Sequence, residues 1–120
     1  MRLTLLVGLG GFAGSCLRYW AGLAGVRLAG VPTPWATAFV NVTGCFAIGL
    51  LAARSLSPEL RAFALVGVLG GYTTFSAFGY ETFVLFEQGR AGLALANAGG
   101  QLALGLLAVF AGTAVARGMA

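Results

Sequence analysis

Four apolar runs occupy almost the whole chain, and each is about as long as the roughly 20 residues a helix needs to cross a bilayer. They cover about 3–26, 35–53, 60–86 and 93–115, separated by short segments that carry the punctuation of helix ends. Arg27 with Pro32 and Pro34 closes the first run, Arg54 with Ser57-Pro58 the second, and Arg117 the fourth. Only 8% of the residues are charged and 59% are hydrophobic, whereas a soluble domain carries about 25% charged residues. The chain is therefore predicted to be an all-α membrane protein, a single unit of four transmembrane helices over residues 1–120 with no extramembrane domain.

The third run breaks the rule that backbone in lipid satisfies its own hydrogen bonds. Gly70-Gly71-Tyr72-Thr73-Thr74-Phe75-Ser76-Ala77-Phe78 places two adjacent glycines and a set of hydroxyls in the middle of an apolar segment. The third helix is predicted to be broken near 70–74, with its freed backbone groups met by protein, water or an ion. Broken helices at mid-membrane depth are where transporters and channels place ion sites.

The chain has no Lys, Asp or His, and its charge rests on seven Arg and three Glu. No nucleophile–base pair can be assembled from that set, so hydrolytic and acid–base enzymology are excluded and the protein is expected not to be an enzyme. The arginines are scattered, which excludes a nucleic-acid partner. Cys16 and Cys45 lie inside apolar runs without a CxxC pair and read as buried thiols packing as small hydrophobes. Residues 3–14 followed by Ala13-Gly14-Ser15-Cys16 look superficially like a lipoprotein signal. Apolar character continues through Tyr19, Trp20 and Leu23, so a retained helix is expected.

Polar side chains inside the runs are the candidates for function, because each needs a partner in lipid. Thr37, Asn41 and Gly44 recur at i, i+4 and i+7 on one face. Asn41 suits either an interhelical bond or donation to an anion. Phe75, Phe78 and Glu81 follow at steps of three, with Ser76, Thr73 and Thr74 beside them. Phe rings on such a helix pack against neighbours, yet their electropositive rims can also meet an anion. Asn97 and Gln101, at i and i+4, either join helices or extend a polar track. Arg18 must snorkel, line an aqueous vestibule or pair with Glu81. Gly10 with Gly14, and Gly105 with Gly112, suit close helix packing.

Orientation follows from Arg at the helix ends. Arg2, Arg54, Arg61 and Arg117 fall on the side of the N-terminus, Arg27 and Arg90 on the other. A bias this weak permits insertion both ways round, and opposed copies would pair about a two-fold axis in the membrane plane.

Taken in order, Gly10-Gly11-Phe12-Ala13-Gly14 with Arg18-Tyr19, Val40-Asn41-Val42-Thr43-Gly44, and Gly67 through Phe78 with Glu81 resemble the CrcB/Fluc fluoride channels over essentially the whole chain. The resemblance implies a dual-topology antiparallel homodimer with two pores in a bacterial or archaeal inner (plasma) membrane, exporting fluoride passively and lowering its toxicity. It also implies a structural Na+ ion, not transported, held at the dimer centre by the backbone carbonyls of Gly70 and Thr73 from both subunits. The pore phenylalanines map onto Phe75 and Phe78, the pore asparagine onto Asn41, the hydroxyl track onto Ser76, and an acid at the pore mouth onto Glu81. Thr37, on the Asn41 face, joins the expected fluoride pathway. One departure stands out, since Ala77 occupies the second Thr position of the usual TTFSTF and shortens the hydroxyl track by one group. The rival reading is a small multidrug-resistance-type exporter, but that chemistry needs an acid in the first helix, where this chain has only Arg18. A structural subunit of a larger complex would explain the small residues but not the set of Phe75, Phe78 and Asn41.

Overall fold

Five helices and the turns between them make up the computed structural model, which describes residues 1–119 and contains no strand among them. The first helix, α1 (Arg2–Ala29), ends at Gly30, whose φ of 63° supplies the left-handed residue that closes a long helix. Pro32 and Pro34 cannot continue a helix but suit a first turn, and α2 (Thr33–Ala52) starts there. The third span begins at Ser57, whose hydroxyl accepts from the Leu60 N–H at 3.2 Å, with Pro58 as the first helical residue. We treat residues 58–72 as α3, which is π-helical over Arg61–Leu69 and returns to α-helical geometry over Gly70–Tyr72. After the break come α4 (Phe75–Glu87) and, beyond a turn at Gly89 (φ 71°), α5 (Ala91–Gly118).

Three helical segments are long and apolar enough to cross a membrane, namely Thr33–Ala52, Pro58–Glu87 and Ala91–Gly118. The first helix, expected from sequence to be a fourth, falls short in apolar character rather than length. Its 28 residues would reach about 42 Å at 1.5 Å per residue, but Arg2, Arg18 and Arg27 dilute them.

The helices pack as two close pairs joined through the third span. α1 lies along α3, while α2 lies along α5, and α1 and α5 do not touch. Both seams are built on glycine. A Cβ on Gly14 would overlap the Val68 carbonyl, one on Gly67 would sit 2.9 Å from Gly10 Cα, and one on Gly112 would overlap the Phe46 carbonyl. Backbones that approach this closely gain dispersion contacts, the main attraction available between helices in lipid. The fully buried interior is thin. The two largest side chains with essentially no exposure are Val40 and, unexpectedly for a hydrocarbon environment, Asn97.

Candidate functional site

The third span leaves helical geometry at Thr73 (φ −79°, ψ 158°) and Thr74 (φ −150°, ψ 120°). The sequence pointed to the glycine pair as the start of the interruption, and this is corrected here: Gly70 and Gly71 are helical. Gly71 is small for a different reason, because a Cβ there would lie 2.5 Å from the Gly11 carbonyl of α1. Gly44 of α2 performs the matching service on the other side, since a Cβ would overlap the Thr73 methyl group.

Following the backbone donors across the break shows what it releases. In an unbroken helix the Thr74 N–H would bond Gly70 C=O. Here it donates to Asn41 Oδ1 at 2.8 Å. The Ala77 N–H, which would bond Thr73 C=O, donates instead to Thr74 Oγ1 at 3.2 Å, as a helix N-cap does. The carbonyls of Gly70 and Thr73 thus both lose their usual donors, and those are the two residues expected from sequence to hold a cation.

Asn41 bridges the gap from α2. Its Nδ2 donates to Thr74 C=O at 3.0 Å and to Gln101 Oε1 at 2.8 Å, while Oδ1 takes the Thr74 N–H. A carboxamide has two N–H donors, and both are committed. Of the two roles left open for Asn41 from its spacing, this geometry is that of the interhelical bond. Gln101 continues the chain, donating to Asn97 Oδ1 at 2.9 Å, and Asn97 donates to Thr82 Oγ1 at 2.8 Å. Thr82 donates to Phe78 C=O at 2.7 Å. Asn97 and Gln101 therefore join α2, α4 and α5 into one network. Thr82 was missed by sequence reasoning, although its i+4 spacing from Phe78 and its place beside Glu81 were available signals.

Beyond the cap, Phe75 and Phe78 stand together at the start of α4. Their ring centroids are 5.4 Å apart with planes tilted by 47°, a geometry that turns rims as well as faces outward. Ser76 lies next to them, its hydroxyl 3.3 Å from that of Thr74. Both rings line a cavity of about 410 Å³ together with Asn41, Gly70, Thr73 and Thr74.

Glu81 is linked to α2 rather than to Arg18. Thr37 Oγ1 donates to Glu81 Oε1 at 2.7 Å, and Glu81 Oε2 is buried without a partner. The expected alternative of an Arg18–Glu81 ion pair is not formed, the one ion pair among the described residues being Arg2–Glu59 at 3.7 Å. Arg18 instead lines a second cavity of about 250 Å³ with Thr37, Thr74 and Ala77. Ala77, where the hydroxyl track is one group short, thus borders the same space as Arg18. The structure brings Asn41, Gly70, Thr73, Phe75 and Phe78 to one cavity and Arg18 with Thr37 to another, while Thr74 borders both.

The profile of the family described as "CrcB-like protein, Camphor Resistance (CrcB)" matches residues 5–113. A protein of Rhizobium meliloti (strain 1021) named "Fluoride-specific ion channel FluC" is 50% identical, over 99% of this chain and 99% of its own. Proteins of the same name from Thermus thermophilus and Rhodospirillum centenum are 49% and 43% identical. The former match covers 93% of each chain, the latter 98% of this chain and 97% of its own.

Proposed function

The chain belongs to the CrcB-like family, and on that premise we propose that it is a fluoride-selective ion channel, not an enzyme, through which fluoride leaves the cytoplasm passively. The observation that carries this reading is the break at Thr73–Thr74, with two carbonyls released on one side and the Phe75–Phe78 pair on the other. A multi-pass membrane protein built around such a break has the elements of an ion site.

Fluoride is small and strongly hydrated, so a narrow path must replace its water. The rims of Phe75 and Phe78 at the 410 Å³ cavity, and the hydroxyl of Ser76 next to Phe75 in the chain, are the groups this chain offers. Thr37, Glu81 and Arg18 stand at the mouth. A cationic vestibule there would raise the local anion concentration. Asn41 enters the path only by exchange, because its amide must release Thr74 C=O or Gln101 before an N–H can meet an anion.

The assembly is an antiparallel homodimer in a bacterial or archaeal plasma membrane, with α1 as the fourth span and two pores. Its centre suits a structural Na+ ion. Hard cations take oxygen ligands, and Gly70 and Thr73 each present a carbonyl deprived of its helical donor. No group of three His, Cys, Asp or Glu that could hold a metal exists among the described residues, so main-chain oxygens are the donor set at hand. Two copies would bring four such carbonyls. The ion, when bound, supplies a fixed positive charge that favours an anion nearby.

Liposomes carrying the purified protein test the proposal. Fluoride efflux that exceeds chloride efflux, and that fails when sodium is replaced throughout by a large organic cation, is the expected result. Equal passage of fluoride and chloride would remove the channel reading, and full activity without sodium would remove the cation.

A further inference from the structure

Thr82, Asn97 and Gln101 take no part in the pathway just described, yet Asn97 is wholly buried and Gln101 nearly so. A buried carboxamide can present either its NH2 or its oxygen to a neighbour by a half-turn, so its orientation must be decided by its partners. Here the decision is made at both ends of the chain of bonds. Phe78 C=O can only accept, so Thr82 gives it its single hydroxyl proton and can then only accept from Asn97. Asn97 must therefore turn its NH2 to Thr82 and its oxygen to Gln101. By the same step Gln101 turns its NH2 to Asn97 and its oxygen to Asn41. Asn41 is left with Oδ1 facing the break, where the Thr74 N–H can only donate. The polarity arriving from Phe78 and the demand of Thr74 agree. The opposite polarity would forgo the Thr82 hydroxyl's bond to Phe78 C=O at one end and set the Asn41 NH2 against the Thr74 N–H at the other.

We propose that Thr82, acting through Asn97 and Gln101, is a positioning residue for the helix break: the one-way chain holds the Asn41 amide in the orientation that captures the Thr74 N–H and keeps the Gly70 carbonyl free. If Asn41 turned over, its NH2 would face the Thr74 N–H, donor against donor. The Thr74 N–H would then return to Gly70 C=O, the helix would lengthen by one residue, and a carbonyl of the cation site would be lost. The orientation of Asn41 stands on the hydrogen bonds alone. The consequence for sodium rests on the function proposed above.

The test uses the full chain in lipid, with Thr82→Val, Thr82→Ser and Gln101→Leu. Thr82→Val keeps the shape and removes the hydroxyl, Thr82→Ser keeps the hydroxyl, and Gln101→Leu cuts the chain at a second link. The carbonyl carbon of Gly70, observed by NMR, is expected to shift downfield in Thr82→Val and Gln101→Leu as it regains a donor, and to keep its wild-type position in Thr82→Ser. The sodium concentration for half-maximal fluoride flux is expected to rise about fivefold in the first two variants, the loss of one buried hydrogen bond. An unmoved Gly70 carbonyl in both cut variants, or an equal shift in Thr82→Ser, overturns the proposal. If Thr82→Val does not fold, Gln101→Leu against Thr82→Ser decides it. A wild-type protein that passes no fluoride would sink the channel reading and leave the NMR result to stand or fall separately.

Discussion

Phe75 leaves 84% of its surface open in the single chain, while its neighbour Phe78 is half-buried. Packing within the protomer therefore explains Phe78 in part and Phe75 hardly at all. A large ring held at 5.4 Å from another, on the wall of a cavity beside a released backbone, is placed to meet something other than its own chain. Leu at either position keeps most of the apolar bulk and removes the electropositive rim. Phe75→Leu and Phe78→Leu are expected to lower fluoride efflux from liposomes about tenfold or more, the equivalent of about 1.4 kcal/mol, with the dimer intact by size-exclusion chromatography. Unchanged efflux would take the rings out of the path. Ala77 offers the converse experiment. It borders the 250 Å³ cavity beside Arg18 and Thr37, so Ala77→Thr adds a hydroxyl at the proposed mouth, and a higher efflux rate is the expected outcome.

Glycine does different work in different helices. In α1 and α3 the backbones meet at Gly10, Gly14, Gly67 and Gly71, with no room for a methyl group. Gly14→Ala forces its Cβ against the Val68 carbonyl and is expected to cost about 1–3 kcal/mol, read as a lowered thermal midpoint of the purified protein. Gly8→Ala, in the same helix but with nothing within 4 Å of the added carbon, is expected to be neutral or stabilising by up to about 1 kcal/mol, since Ala is the better helix former. Equal losses at the two positions would mean that seam contact is not what holds α1 in place. The same contrast explains how far the fold was legible in the sequence. The helix ends are local events, marked by Pro32, Pro34 and Ser57-Pro58, and apolar length marks what lies between them. The break was legible as a region, because hydroxyls and glycines in an apolar run have no local solution. Its position was not, because the residue that makes Thr74 extended is Asn41, 33 positions away. Nothing in Arg61–Leu69 announces a π-helix either, since its widened turns depend on what packs against them. Among the site residues, Phe75 with Phe78 and Asn41 were legible as faces, whereas the Asn97–Gln101–Thr82 chain needed the third dimension to join three helices.

The molecule as a whole is short of interior. A monomeric protein of 12.2 kDa exposes roughly 6,100 Å² by the usual scaling, but this chain exposes 7397 Å². Lipid covers some of the difference; the proposed second copy would cover the cavity that Gly70 and Thr73 line. The form of that pairing can be decided by charge. With α1 counted as a span, Arg2, Arg54, Arg61 and Arg117 lie at one membrane face and Arg27 and Arg90 at the other, a small bias on which the proposed dual insertion rests. Adding arginines at exposed end positions should then sort the population. Ser55→Arg with Gly118→Arg takes the first face to six arginines against two. Leu28→Arg with Gln88→Arg alone would only even the faces at four each, so there Arg54→Gln, Arg61→Gln and Arg117→Gln are added to leave one against four, all these sites being exposed. Each of these two charge variants expressed alone is expected to insert one way round, to lose the antiparallel partner and to pass no fluoride. Expressed together, they should restore flux, because each supplies the orientation the other lacks. Full flux from either charge variant alone, with its termini confirmed on one side by cysteine labelling, would mean that parallel copies suffice and that the two-fold axis does not lie in the membrane plane.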